Sequence, residues 1–400
     1  SIYKTNLRIS NETERRFAMR FGHIGDCHLG GWREPEMLEL NTRSFQYAVD
    51  KFIREKLDFV LIAGDLFDSA YPPIEVMKEA FNEFRKLKES NIPVFLIAGS
   101  HDYSVSGKTF LDVLEKAGFA KNVFQPEERN NVIFLNPVIY KNVAMYGYPG
   151  KKSALEVEEI ARIKLHDAPG LFKILMLHTA LRDAVGTLPI AAVDQDKLPL
   201  VDYVALAHLH VRYHKKNRVY CGPLFPNNVS ELEELRGGSF YIADTNGKIE
   251  RHEIRLKEVV VLEINLADGV DVREIVQSRL ASTSVKEAIV ILKLRGVMSS
   301  GQLSHLNLAE LEFAAKKDGA YVVLRDTSRL YAQDMEVGLE QQTEQVESLL
   351  ISKFKEEHPA PFNQMIESLI FALQTEKKED ERTQLYENRL LNEVQKLLGI

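Results

Sequence analysis

Short apolar runs that stop abruptly at Asp, His or Gly constrain this chain more than any other feature. Between Met19 and about Asp244 they occur at Arg20 to Ile24, Phe59 to Ala63, Val94 to Ala98, Ile133 to Leu135, Val143 to Tyr146, Ile174 to Leu177, Tyr203 to Ala207, Val219 to Cys221 and Phe240 to Ala243. Runs this short suit strands better than helices. Helix-period segments lie between some of them: Glu75 to Lys88, with Val76, Ala80, Phe81, Phe84 and Leu87 on one side, and Thr109 to Ala117. Alternating strand and helix predicts an α/β sandwich whose chemistry sits at the carboxyl ends of its strands.

Beyond residue 255 the pattern changes twice. Val259 to Ile264, Val272 to Leu280, Ala288 to Leu294, Leu306 to Lys316 and Tyr321 to Leu324 read as a compact β-α-β-α-β unit. It carries no cluster of metal-binding residues, so residues 256–335 are expected to be a separate domain that shapes the substrate. Residues 336–400 are highly charged and helical in period. Phe362, Met365, Ile366, Leu369, Ile370 and Leu373 form one apolar stripe, and Tyr386, Leu390, Val394, Leu397 and Leu398 a second. Pro359 and Pro361 set this helical pair apart. It reads either as packing on the body or as a docking module for a partner helix.

Composition narrows the classes. The 400 residues exceed what one hydrophobic core holds, so more than one domain is expected. Two cysteines, Cys27 and Cys221, exclude a disulfide framework and a thiolate zinc cluster and suggest a reducing cytosol. Residues 1–18 are charged and read as an N-terminal extension. No apolar run approaches the ~18 residues of a membrane span, so a soluble protein without a membrane partner is expected. Of the net charge of −7, most belongs to residues 336–400, with 7 Lys+Arg against 13 Asp+Glu. The near-neutral remainder argues neither for nor against a nucleic-acid partner.

Five motifs follow apolar runs: Gly25-Asp26-Cys27-His28, Gly64-Asp65-Leu66-Phe67-Asp68, Gly99-Ser100-His101-Asp102, Leu177-His178 and Ala207-His208-Leu209-His210. Each is weak by itself. Together they bring carboxylates and imidazoles to neighbouring strand ends, a clustering that is costly unless cations bind there. Two divalent ions about 3.5 to 4 Å apart would clamp the attacking and leaving oxygens of a displacement at phosphorus. Asp65 is the expected bridge, with Asp26, His28 and His210 around one ion and His178 and His208 around the other. Imidazole and carboxylate without thiolate suit Mn, Fe or Zn better than Ca. His101 is the expected non-ligand, stabilising phosphoryl charge or protonating the leaving oxygen, with Asp102 orienting its imidazole. Cys27 is expected to point away from the metals, His23 to be buried structure, and Arg212 to Arg218, with His214, to be either a phosphate-binding stretch or a solvated basic turn.

In order and spacing these motifs resemble the calcineurin-like metallophosphoesterase superfamily. Over residues 19–400 the chain is similar to the SbcD-type exonucleases, the nuclease subunits that work with an SMC-like coiled-coil ATPase in double-strand-break repair. Phe21 to Gly30, Gly64 to Phe67, Tyr220 to Pro223 and the domain order carry that likeness. The resemblance implies a four-layer α-β-β-α metallophosphoesterase sandwich over 19–255, a small α/β capping domain over 256–335 that contacts DNA, and helices within 362–398 that grip the ATPase coiled coil. It further implies Mn²⁺-dependent 3′ to 5′ exonuclease and single-strand endonuclease activity at DNA ends. A homodimer through helices 74–88 and 109–117 and a cytoplasmic, nucleoid-associated location follow as well.

Three positions depart from the pattern. Ser100 stands where the family has an Asn ligand to the second metal, and its shorter hydroxyl is a poorer ligand. Ala207 replaces the glycine before His208, and Asp68 stands where nucleases of the branch often carry His. Two other readings stay open: a phosphoesterase acting on a small molecule or phosphoprotein, and a scaffold subunit whose nuclease is weakened.

Overall fold

The computed structural model describes residues 18–103, 109–186, 190–267, 272–298 and 307–332. The apolar runs are strands, and all but Ile133 to Leu135 fall into two six-stranded sheets. In the first, the parallel strands β1 (Arg20–Ile24), β2 (Phe59–Ile62), β3 (Val94–Leu96) and β4 (Lys121–Asn122) continue from β1 into the antiparallel β14 (Gly238–Asp244) and β15 (Ile249–Ile254). The second has the order β12-β13-β11-β10-β8-β7. There β8 (Val143–Tyr148), β10 (Phe172–His178), β11 (Tyr203–Ala207) and β13 (Arg218–Tyr220) are parallel, and β7 (Val138–Tyr140) and β12 (Tyr213–Lys215) close its edges. A strand buried on both faces reads as an unbroken apolar run, and Phe59–Ile62 is buried at every residue.

Alternation along these strands divides their side chains between two cores. Phe21, Phe59 and Leu61 meet Ile174, Met176, Tyr203 and Ala205 between the sheets. The Phe21 ring stacks on Phe59 at 5.0 Å and stands edge-on to Tyr203 at 5.1 Å, so three rings tie the sheets together. His23 shares this face. Its Nδ1 is 2.9 Å from Tyr203 Oη, and burial takes its imidazole down to about 3, which keeps it neutral as a structural residue.

On the outer face of the first sheet, Ile24, Val60, Ile62 and Leu96 pack under helices Pro35–Arg54, Ile74–Glu89 and Phe110–Lys116. The outer face of the second sheet offers Tyr146, Leu175, Leu177 and Leu206. These pack with Ile160 of helix Glu156–Ile160 and with the small sheet of β5 (Pro126–Arg129), β6 (Val132–Leu135) and β9 (Ile163–Leu165). That cover mixes helix and strand.

Strands β16 (Val259–Leu266), β17 (Ile289–Met298) and β18 (Val322–Ala332) form a third sheet, with helices Val272–Ser282 and Leu308–Lys317 between them in sequence. The β-α-β-α-β order is the one expected. Val259, Ile289, Ile291, Val322 and Leu324 share an apolar core with Trp32, Met37, Leu40, Phe225 and Leu232. The described residues among 18–265, 272–294 and 307–328 form one compact unit. A second unit includes residues 266–267, 295–298 and 329–332 among those described. The expected N-terminal extension, apart from residue 18, and the whole of 336–400 with its partner-binding helices lie outside the described residues. Among the described residues no helix is long and apolar enough to cross a membrane.

Candidate metal centre

All five motifs stand at the carboxyl ends of parallel strands. Asp26 and His28 follow β1, Asp65 follows β2, Ser100 to Asp102 follow β3, His178 ends β10, and His208 and His210 follow β11. The loops after β1 and β2 keep pairing beyond the strands: Asp26 N–H donates to Gly64 O at 3.1 Å, His28 N–H to Asp65 O at 3.0 Å and Leu29 N–H to Leu66 O at 3.0 Å. Asp26, His28, Asp65 and His208 have φ of 46°, 41°, 50° and 96°. Left-handed backbone at side chains other than glycine is held only where the surroundings over-determine it, and it gathers at functional sites. Gly64 (φ +99°) answers a different need: a Cβ there would stand 2.4 Å from His178 Nδ1.

Three groups of side chains converge, each with ligand atoms within 4.8 Å of one another: Asp26, His28 and His210; His28, Asp65 and His101; Asp26, Asp65 and His178. Asp65 and Asp26 each belong to two of them. The histidines are held by one nitrogen. His28 Nδ1 is 3.1 Å from Asp68 Oδ1, His178 Nδ1 is 3.0 Å from Ala63 O and His210 Nδ1 is 2.9 Å from Glu231 Oε1. Fixing Nδ1 this way sets the tautomer and aims Nε2, as at metal-bound histidines generally. The Nε2 atoms of His28 and His210 then face each other at 3.1 Å. His178 Nε2 is fully buried, lies 3.1 Å from Asp65 Oδ2 and makes no hydrogen bond. A buried ring nitrogen in ionic contact without a formed hydrogen bond, beside facing imidazoles and carboxylates, fits divalent cations.

Electrostatics agree with the geometry. Burial opposes charge on His178, but Asp65 and, behind it, Asp26 outweigh that and push the imidazole up to about 9. Burial likewise opposes charge on His210, yet Glu231 and Asp26 bring it up to about 9. Burial and the charge on His178 take His208 down to about 4. Asp65 is buried too, but the facing His178 and His28 hold its carboxyl well below the usual range.

One expected role moves to another residue. Asp102 does not orient His101. Its Oδ2 accepts from Leu66 N–H at 3.1 Å and Gly99 N–H at 3.0 Å, and its Oδ1 from Phe67 N–H at 3.0 Å, so it clamps the loops after β2 and β3 together. Burial and Asp65 raise its carboxyl to about 6, against those three donors. Asp68 takes the orienting place: His101 Nδ1 is 2.9 Å from Asp68 O and 3.6 Å from Asp68 Oδ1. The His101 side chain is 46% exposed, open to a substrate.

His208 and Ser100 stand beside the three groups. The His208 ring is edge-on to His178 at 5.1 Å, and its backbone N–H donates to both oxygens of Asp26 at 2.9 and 3.1 Å. Ser100 Oγ is 3.5 Å from Asp65 Oδ2. Ala207 finds its room against Gly25, where a Cβ would come within 2.6 Å of its own. Cys27 turns into the apolar core under the helices, as expected. His214 is exposed, with Nε2 2.9 Å from Lys216 O in a basic hairpin. Sequence reasoning missed Glu231 and also Asn41, which bonds Cys27 O at 2.9 Å and Gly30 N–H at 3.3 Å from helix Pro35–Arg54.

Residues 19–212 match the calcineurin-like phosphoesterase family. The DNA double-strand break repair protein Mre11 of Methanococcus maripaludis is 29% identical over 263 residues, 60% of this chain and 67% of that protein. Mre11 of Archaeoglobus fulgidus is 26% identical over 356 residues, 82% and 78% of the two chains. The uncharacterized metallophosphoesterase YhaO of Bacillus subtilis is 28% identical over 262 residues, 60% and 61%. Residues 19–212 form a calcineurin-like phosphoesterase domain, and the strand-end carboxylates and imidazoles within it make three groups that could hold a metal ion.

Proposed function

We propose that the protein is a metal-dependent nuclease that processes DNA ends, a hydrolase of phosphodiester bonds. The convergence of imidazole Nε2 atoms on Asp26 and Asp65 carries the chemistry. The similarity to proteins named for double-strand break repair supports DNA as the substrate. In this reading Asp26, His28 and His210 would hold one ion and His178 and His208 the other, with Asp65 and Ser100 as further donors. The bound ions, Mn²⁺ in the first instance, would supply charge neutralisation and an activated nucleophile for in-line displacement at phosphorus.

The chain's own residues do the rest. With its Nδ1–H donated to Asp68 O, His101 turns Nε2 toward the substrate side, and in its doubly protonated form it gives the Nε2 proton to the leaving oxygen. Asp102 keeps the His101 loop against the Asp65 loop, and the backbone N–H of His101 donates to Asp65 Oδ1 at 2.8 Å. The α-β-β-α arrangement, the capping role of 256–335, the homodimer through 74–88 and 109–117, and an SMC-like ATPase bound by 362–398 belong to the same reading. Its test is cleavage of end-labelled single- and double-stranded DNA with added Mn²⁺, comparing the chain with His101→Ala. Metal-dependent cleavage that falls about 10²- to 10⁴-fold in the variant is expected. Intact DNA alongside hydrolysis of a generic phosphodiester would replace DNA with a small substrate. Silence on both, with the ATPase present, would leave a scaffold.

A further inference from the structure

Helix Val229–Leu235 lies between the metal-centre residues and the third sheet. Glu231 and Glu233 are two residues apart, roughly 200° around the helix axis, so their side chains leave on opposite sides. Glu231 Oε1 meets His210 Nδ1 at 2.9 Å. Glu233 accepts from the Nζ of Lys293, a buried lysine on β17. A buried ammonium is costly without a partner, which ties the helix to the strand. Two further contacts hold the same joint: Leu232 is 1% exposed in the core it shares with Val259 and Ile289, and Arg236 Nη1 donates to Val259 O at 2.7 Å.

The Glu231 carboxylate is also fixed from behind. Its Oε2 accepts from Asn227 N–H at 2.8 Å and its Oε1 from Asn228 Nδ2 at 2.7 Å. A helix start uses such bonds for its own stability. The contact with His210, 21 residues away in sequence, is not one a cap needs.

We propose that Glu231 is the positioning residue of His210, and that the Lys293–Glu233 pair transmits the placement of the third sheet through this helix to that imidazole. A carboxylate that accepts a hydrogen bond from Nδ1–H keeps the Nε2 lone pair of the neutral ring facing His28, and such partners fix ring orientation and raise ligand basicity. The proposal rests on the metal-centre reading.

The experiment titrates Mn²⁺ into the metal-stripped full chain by calorimetry, with thermal unfolding of each metal-free protein alongside. Wild type is expected to take two ions. Glu231→Ala should weaken one of them roughly 10- to 100-fold and leave the other unchanged. Glu231→Gln keeps one oxygen for His210 Nδ1–H and Asn228 Nδ2 but loses the charge and turns its NH2 toward Asn227 N–H; it should melt below wild type and weaken the same ion less than Glu231→Ala does. Lys293→Met should weaken that ion too, and the Glu231→Ala, Lys293→Met double variant should be no weaker than Glu231→Ala alone, because both act through one imidazole. Folded Glu231 variants that bind both ions with wild-type affinity overturn the positioning role. A Lys293→Met protein that changes only its metal-free melting overturns the link to the sheet. A wild type that takes up no ion removes the metal-centre reading itself, and the proposal with it.

Discussion

At the scale of single residues, four imidazoles of the candidate centre, those of His28, His101, His178 and His210, are pinned at Nδ1. His178 and His210, raised to about 9 in the metal-free protein, carry protons at neutral pH. A cation needs their neutral form. Because their folded values lie above the ordinary value of 6.5, loading must displace those protons below about pH 9, and affinity should rise with pH until it levels off there. Calorimetry at pH 7.5 in two buffers of different ionisation enthalpy should show about two protons released on full loading. Uptake without proton release would show that these imidazoles are neutral beforehand. The residues that gather at the candidate centre were legible because chemistry-bearing side chains directly after apolar runs are conspicuous. Glu231 was not, since in Ser230-Glu231-Leu232-Glu233-Glu234 nothing distinguishes it from a solvated helix face. Asp102 was misassigned for a related reason: adjacency to His101 suggested an orienting role, while its backbone partners come from three other residues, two of them in a different loop.

At the scale of elements, the strands were read more completely than the helices. Helix Pro35–Arg54 passed unnoticed although Met37, Leu40, Ser44, Ala48 and Phe52 repeat at helical spacing and Pro35 opens its first turn. Its burial against β1 leaves little slack. A Cβ on Gly22 would lie 2.7 Å from the Phe52 ring, which itself stands edge-on to Phe240 at 5.2 Å. Gly22→Ala should therefore overpack this contact and lower stability by about 1–3 kcal/mol. Urea denaturation would show it as a lower midpoint with an unchanged slope, and an unchanged midpoint would mean that Phe52 moves aside freely.

At the scale of the whole molecule, the proposed dimer makes a narrow demand. Val76, Ala80, Phe84, Leu87, Leu111 and Leu114 are spent on the chain's own core. Among the described residues of 74–88 and 109–117, the large apolar side chains left exposed are Ile74, at 62%, and Val113, at 46%. Replacing both with Arg should turn a dimer into a monomer in light scattering. A dimer that survives the change would place the interface elsewhere. The sequence by itself determined the α/β order, the strand ends where carboxylates and imidazoles gather and the β-α-β-α-β order, because hydrophobic period and motif position are local properties of the chain. Only the tertiary structure decided that Asp68 rather than Asp102 meets His101, that Glu231 holds His210, and that the third sheet shares a core with Trp32 and Met37. Those pairings join residues 21 to nearly 300 positions apart, and they depend on which strand ends and helix faces the packing of the sheets brings within a few ångströms.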